Sequence, residues 1–547
     1  MRPVWQGSKV REAERGAVAA ATAEGDPDRH MRLAAHALAT AVLRHLTTGD
    51  TRPSVSAAAD ECTEGGRPGA GIGVAGTRIV IVVGPGGNGG DGLYAGAKLS
   101  ARGAAVAAVP VTDHVQERAL AAFLAAGGRV WKPGTAQARD GLGRADVVVD
   151  AGFGTGARGG LPADIGSHWP KDAWVVAADA PSGVDTDSGH LVGDGFTPAA
   201  DLTVTFGALK TGLFLREGRA LAGAVTEVPI PGLLDPDVLG EPAFSVLSDE
   251  DAFDRILSPR VSDHKYSRGV LGLLAGSPSY PGAAILAGQA ALATGLGMLT
   301  AFPRERACTA LTTAIPEAVV VDRETVVNAV TDSAQAAKVS AWLLGPGLGD
   351  DQADLEPAAV LLGESLGERS HPRMSCPKVV DASALAVVPA ASGSVSDRSW
   401  VLTPHAGELK ALNHRLRLGL LDPVEHPLEA VRGAATALNC VVLLKGSTTL
   451  VATARGEVFA ACSAGPELAV AGAGDTLAGI LGAMVATHAA RAAGNGASLS
   501  HEELARLAAA AAVLHGRAAA QQKRCGIKGS GGLSTAIARI MQQRESQ

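Results

Sequence analysis

Short runs in which nearly every position is apolar recur along the chain, and between them apolar positions return every three or four residues. In the first half the runs are Arg78 to Gly84, Ala104 to Val111, Asp146 to Asp150, Trp174 to Asp179 and Asp201 to Phe206. Helical spacing covers Asp91 to Arg102 and about His114 to Ala126. An apolar run that does not alternate is a strand buried on both faces, and such strands alternating with helices form a parallel sheet. The pattern predicts a Rossmann-like α/β layer fold. Ahead of it, residues 1 to about 30 predict polar helix and loop, and Met31 to Leu46 an amphipathic helix. Thr48 to Gly76, rich in Gly, Ala, Ser and Thr, predicts a surface loop.

The rhythm breaks at Pro229-Ile230-Pro231-Gly232-Leu233-Leu234-Asp235-Pro236, three prolines in eight residues. A second α/β series follows Lys265. Its strands are Gly269 to Ala275, Met298 to Phe302, Ala341 to Leu344, Lys378 to Asp381, Trp400 to Thr403 and Val441 to Leu444. Two helices close the chain, one after Asp475 and one from Glu502 to about Gln521. The expectation is two α/β domains, 1–238 and 239–547, meeting near 235–245, with no repeat beyond the shared βα rhythm.

Composition narrows the class. The chain has 547 residues, 46% of them hydrophobic and 19% charged, which is globular and long enough for two or three cores. A formal charge of −7 and a pI near 6.1 argue against a nucleic-acid partner. No apolar run reaches the ~18 residues that span a bilayer, and Met1 to Ala23 lacks the apolar core of a signal peptide. Six scattered cysteines (62, 308, 376, 440, 462 and 525) and 14 histidines form no Cys-x-x-Cys or His-Glu-x-x-His spacing. Reduced thiols in a cytoplasmic enzyme without zinc are expected, and a homo-oligomer is left open.

Candidate chemistry gathers at strand ends, where parallel sheets form their ligand crevice. The first strand runs into Gly84-Pro85-Gly86-Gly87-Asn88-Gly89-Gly90-Asp91-Gly92, six glycines in nine residues. This fits neither the dinucleotide fingerprint nor the P-loop. Asp150 leads into Ala151-Gly152-Phe153-Gly154-Thr155-Gly156-Ala157-Arg158-Gly159-Gly160, and Asp179 precedes Ala180-Pro181-Ser182-Gly183. Asn88, Asp150 and Ser182 offer only oxygen ligands, which suits a hard cation. Asp179 is then available for acid–base work, with Lys210 either its partner or a solvated lysine.

In the second half, Ala469-Val470-Ala471-Gly472-Ala473-Gly474-Asp475 runs into an apolar helical stretch. Unpaired N–H groups and the helix dipole at such a start stabilise an anion. Asp475 is either a cap or a general base beside a phosphate. Lys445-Gly446-Ser447-Thr448-Thr449 at a strand end suits phosphate or ribose contacts. Thr403-Pro404-His405-Ala406-Gly407-Glu408 and Gly345-Pro346-Gly347-Leu348-Gly349-Asp350 end two further strands.

The first-half motifs, in this order, resemble the NAD(P)H-hydrate epimerase family over about residues 30–230, differing at Gly87, where that family usually has a second Asn. The resemblance implies that Gly87, Asn88, Gly89, Gly90, Asp91, Gly154, Thr155, Gly156, Ala157, Arg158, Gly159, Gly160 and Asp179 surround the hydrated nicotinamide nucleotide. It also implies a potassium ion on Asn88, Asp150 and Ser182. The second-half order resembles the ribokinase-like superfamily. His405 in place of its usual Asn, with His264-Lys265-Tyr266-x-Arg268-Gly269 and Gly276-Ser277-Pro278-x-Tyr280-x-Gly282-Ala283-Ala284, resembles ADP- or ATP-dependent NAD(P)H-hydrate dehydratases over roughly 250–540.

That likeness implies Ala284, Gly347, His405 and Asp475 facing the hydrate of NADH or NADPH. It implies Lys445, Gly446, Ser447, Thr448, Thr449 and Gly474 holding ADP or ATP with magnesium. Together the halves would epimerise R and S hydrates and dehydrate the S form at the expense of ADP, releasing AMP and phosphate. The alternative is a small-molecule kinase for a hydroxymethyl compound, fused to a non-catalytic binding module.

Overall fold

The computed structural model describes residues 1–49, 73–321, 338–363, 376–391 and 398–545. Residues 50–72 of the loop expected over Thr48 to Gly76 lie outside them. Apart from Met1, the chain divides into two compact units, Arg2–Ser245 and Val246–Gln547.

The sheet of the first unit contains β1 (Arg78–Val83), β2 (Ala105–Pro110), β3 (Arg129–Val130), β4 (Val147–Ala151), β5 (Trp174–Ala178), β6 (Leu202–Phe206) and β7 (Ala224–Val228). Their order is β3-β2-β1-β4-β5-β6-β7 and every pairing is parallel. The succession reverses between β1 and β4, which is where an open α/β sheet opens its crevice. Ile79, Ile81 and Val83 join a core with the helix Arg29–Thr48, and Val80 and Val82 join another on the opposite face. Each buried Val or Ile contributes about 1.5–3 kcal/mol, which explains why β1 is apolar at every position after Arg78.

Two expectations change here. The helix after β1 starts at Gly87, not Asp91, and runs to Ala101. Glycine's poor helix propensity hid this first turn, which packing imposes: Gly89 and Gly90 are buried, and a Cβ on either would collide with the Gly84 carbonyl or Met31. Residues 1–30 hold a strand, Arg2–Trp5, parallel to Leu209–Lys210, followed by the helix Gly7–Ala23.

The second unit has β8 (Val270–Leu274), β9 (Met298–Ala301), β10 (Val319–Val320), β11 (Ala341–Leu344), β12 (Lys378–Val380), β13 (Trp400–Leu402), β14 (Val441–Leu444), β15 (Thr449–Ala452) and β16 (Val458–Ala461). The order β10-β9-β8-β11-β12-β13-β14 repeats that of the first sheet, and β15 and β16 extend it antiparallel. These two strands were not expected. The helix Ala473–Gly494 is buried from Thr476 to Ala486 against the helices Pro281–Ala293 and His501–Arg524. A third helix, Leu533–Glu545, ends the chain where only two had been expected.

Candidate active sites

A cleft of about 480 Å³ opens at the β1/β4 reversal of the first unit. Gly87, Asn88 and Asp91 line it from the start of the helix Gly87–Ala101, and Gly154, Thr155, Gly156 and Ala157 from the loop after β4. Asp179, just after β5, joins them.

Asp179 adopts φ 64°, a left-handed conformation rare outside glycine. Thr155 donates to its Oδ2 through Oγ1 at 2.6 Å and through its N–H at 3.1 Å. Lys210 Nζ donates to its Oδ1 at 2.7 Å. Burial pushes the carboxyl up, but the Lys210 ammonium and these hydrogen bonds more than reverse it, leaving Asp179 below its ordinary value. Lys210 is therefore no solvated lysine. Its side chain is 1% exposed and also donates to Thr205 and to the Phe206 carbonyl.

Asp150, one residue before the end of β4, is fully buried. Ser182 donates to it through Oγ at 2.5 Å and through its N–H at 2.7 Å, and the Gly152 N–H donates at 3.2 Å. Burial nevertheless pushes Asp150 up to about 6. Both side-chain polar atoms of Asn88 are buried with no hydrogen-bond partner among the described residues. A buried carboxamide left without partners costs on the order of 1–3 kcal/mol and marks a place for a missing ligand.

In the second unit, Gly472 at φ 86° turns the chain into the helix Ala473–Gly494, with Asp475 in the first turn. The N–H groups of Gly474 and Asp475 lie where an α-helix supplies no acceptor. Burial and the nearby Asp381 push Asp475 up to about 6, against the pull of Lys445. The Lys445 ammonium sits 3.7 Å from where a Cβ on Gly474 would lie, so two sequence-distant motifs meet. Lys445 also donates to Asp381 at 2.8 Å and approaches Glu408 at 3.5 Å.

Beside this helix start lies a second cavity of about 430 Å³, lined by Pro466, Val470, Ile527, Gly529 and Leu533 among others. Ser530 ties it to the loop by donating to the Ala471 carbonyl at 2.8 Å.

Both units resemble known proteins. A family model described as NAD(P)H-hydrate dehydratase matches residues 271–543, and one described as YjeF-related protein N-terminus matches residues 28–212. The Bifunctional NAD(P)H-hydrate repair enzyme Nnr of Mycobacterium tuberculosis is 36% identical over 465 residues, covering 84% of each chain. That of Mycobacterium leprae is 35% identical over 495 residues, covering 89% of each. That of Thermosynechococcus vestitus is 30% identical over 441 residues, covering 78% of this chain and 83% of the relative. The chain belongs to the bifunctional NAD(P)H-hydrate repair enzyme family.

A kinase fused to a non-catalytic module is not favoured for a repair enzyme of this family. The packing of the other expected contact residues is as distinctive. Gly89 and Gly90 face the core, as described above. Arg158 is exposed, and Gly159 and Gly160 abut the segment 192–196, where Leu161 and Phe196 exchange backbone hydrogen bonds. Ala284 is fully buried, 3.0 Å from where a Cβ on Gly276 would lie. Gly347, at φ 62°, leaves room for Ala283 and Tyr280. Gly446 and Ser447 are exposed, whereas the side chains of Thr448 and Thr449 turn inward at the start of β15.

His405 caps the helix Ala406–Leu416. Its Nδ1 accepts from the N–H groups of Gly407 and Glu408, and its own N–H donates to Glu408 Oε2 at 2.7 Å. It thus fills the capping place that an Asn would take.

Three residues of the repair enzyme went unassigned from sequence. Asp381 follows β12, the same strand-end signal that marked Asp150 and Asp179, and accepts from Thr403 and Lys445. Arg11 and Glu14 line the first cleft from the helix Gly7–Ala23. Nothing local in the sequence distinguishes them.

Proposed function

We propose that the first unit interconverts the R and S hydrates of NADH and NADPH at its cleft, and that the second dehydrates the S form at the start of the helix Ala473–Gly494. The observation that carries this reading is Asp475, a half-buried carboxylate at a helix N-terminus with Lys445 beside it. That is what a base needs when the hydroxyl it deprotonates attacks a phosphate.

In the second unit, Asp475 takes the proton of the C6 hydroxyl, and the oxygen attacks the terminal phosphate of ADP or ATP. The N–H groups of Gly474 and Asp475 and the Lys445 ammonium hold the charge that develops on that phosphate. The electron pair of the ring nitrogen then expels phosphate from C6, and loss of the C5 proton restores the dihydronicotinamide. ADP becomes AMP, or ATP becomes ADP. The apolar cavity beside Val470 and Ile527 suits the nucleotide's base. Magnesium would arrive with the nucleotide's phosphates. Asp381 and Glu408 are already engaged by Lys445, and no cluster of three His, Cys, Asp or Glu among the described residues forms a metal cage.

In the first unit, Asn88, Asp150 and Ser182 fit a monovalent cation. All their donors are oxygens, Asn88 is unpartnered, and no lysine or arginine contributes to the shift of buried Asp150. Potassium there would offset that buried charge. Asp179, held ionised by Lys210, takes up and returns protons.

No helix among the described residues is long and apolar enough to cross a membrane, and none of their cysteines forms a disulfide, which suits a cytoplasmic setting. The test is to incubate the chain with mixed NADH hydrates, with and without ADP or ATP. Recovery of the dihydronicotinamide absorbance should require nucleotide, and exchange of R with S should not. Recovery without nucleotide would defeat the dehydratase reading.

A further inference from the structure

Epimerisation at C6 by loss and return of the hydroxyl needs two groups, an acid for the departing oxygen and a base for the incoming water. The first cleft supplies the base as Asp179. It also holds a carboxyl that nothing so far uses. Glu14 lines the cleft from the helix Gly7–Ala23, outside the matched span 28–212. Its Oε1 lies 3.5 Å from where a Cβ on Gly207 would stand, beside the turn whose Phe206 N–H donates to Asp179 at 3.4 Å.

The charged groups around Glu14 are Arg11 on its own helix, Lys210 and Asp179, and Asp91 on the helix Gly87–Ala101. Lys210 is committed to Asp179, and Arg11 is turned toward Gly156, where a Cβ would collide with its guanidinium. Glu14 itself receives no hydrogen bond among the described residues.

We propose that Glu14 is the proton donor to the leaving C6 hydroxyl, paired with Asp179 as the base. This rests on the epimerase reading of the first unit. The Glu14 carboxyl protonates the hydroxyl; the C6–O bond breaks, water departs, and the ring nitrogen's electron pair forms an N1=C6 iminium. Water then adds to the other face of C6 and gives its proton to Asp179. Asp179 releases that proton to solvent, Glu14 regains one, and nothing is oxidised or reduced. In the reverse direction the two exchange roles.

The environments separate the two carboxyls as this assignment requires. Burial pushes Glu14 up to about 7, partly offset by Lys210, whereas Asp179 stays below its ordinary value. The acid must be protonated, so epimerisation should be fast below about pH 7 and decline as pH rises through it.

The test follows conversion of purified R hydrate to S by the intact chain without nucleotide, as kcat and kcat/KM against pH. Glu14→Gln should lower kcat by ~10²–10⁴-fold with little change in KM, as loss of general-acid assistance does. The limb near pH 7 should vanish from what remains, and Glu14→Asp should recover part of the rate. The urea-unfolding transition of the first unit, compared with wild type, reports folding. A wild-type rate and pH profile in Glu14→Gln overturns the proposal and leaves the epimerase reading intact. If Glu14→Gln does not fold, a wild-type profile with no decline near pH 7 overturns it equally. A wild-type chain that never interconverts the hydrates overturns both.

Discussion

Asp179 shows what one residue's conformation costs and what sustains it. A non-glycine residue in the left-handed region carries about 1–3 kcal/mol of strain, which persists only when its surroundings over-determine it. Here Thr155, Thr205 and Lys210 fix the carboxylate from several directions. Removing the cation from a buried pair leaves an uncompensated charge and typically costs 3–5 kcal/mol. Lys210→Met should therefore lower the first unit's stability by about that much, measured by urea denaturation. It should also abolish epimerisation, because Asp179 loses what holds it ionised. A Lys210→Met protein that unfolds at the wild-type urea concentration would remove the pair from the fold's support. Asp475 makes the matching case in the second unit. Asp475→Asn keeps the size and capping ability but not the base, so dehydration should fall by ~10²–10⁴-fold while the melting transition stays put. Near-wild-type turnover in that variant would end the base assignment.

At the scale of elements, strands buried on both faces were the most legible, because nothing else makes Ile79-Val80-Ile81-Val82-Val83 favourable. The glycine-rich start of the helix Gly87–Ala101 was not, since its propensity points away from the structure that packing demands. Nor was the helix Gly7–Ala23, whose polar sequence gives no sign that Arg11 and Glu14 border a cleft. Asp150, Asp179 and Asp475 were legible as candidates because each stands at an element's end, where side chains face a crevice. The same rule would have found Asp381. His405 was read as a substrate contact, and its Nδ1 proves to be spent on a helix cap, which leaves only the largely exposed Nε2 side of the ring to meet a hydrate. His405→Ala should cost about 1 kcal/mol, the usual value of a lost N-cap, and His405→Asn should restore it. If the ring also meets the hydrate, His405→Asn should keep wild-type stability yet raise the KM for the S hydrate. An unchanged KM would reduce His405 to a cap.

For the whole molecule, the two sites impose opposite limits on pH. Asp475, pushed up to about 6, works as a base only when deprotonated, so dehydration should be present above about pH 6 and lost below it. Glu14, pushed up to about 7, works as an acid only when protonated, so epimerisation should be present below about pH 7 and lost above it. Repair of a mixture therefore has its best window between these values, and the limiting step changes across it. Given equal R and S hydrate with saturating nucleotide, the intact chain should clear the mixture in a single phase between about pH 6 and 7. Well above pH 7 the curve should split into a fast phase that consumes the S half and a slow one limited by conversion of R. Well below pH 6 both hydrates should disappear slowly and together, because R and S equilibrate faster than S is dehydrated. The measurement is a progress curve at the dihydronicotinamide band, with the protein-free rate of exchange subtracted at each pH. Asp179→Asn should show the split at every pH, and Asp475→Asn should show almost no consumption at any. A ratio of the two phases that does not move with pH would mean that the carboxyls carrying these protons have been misassigned.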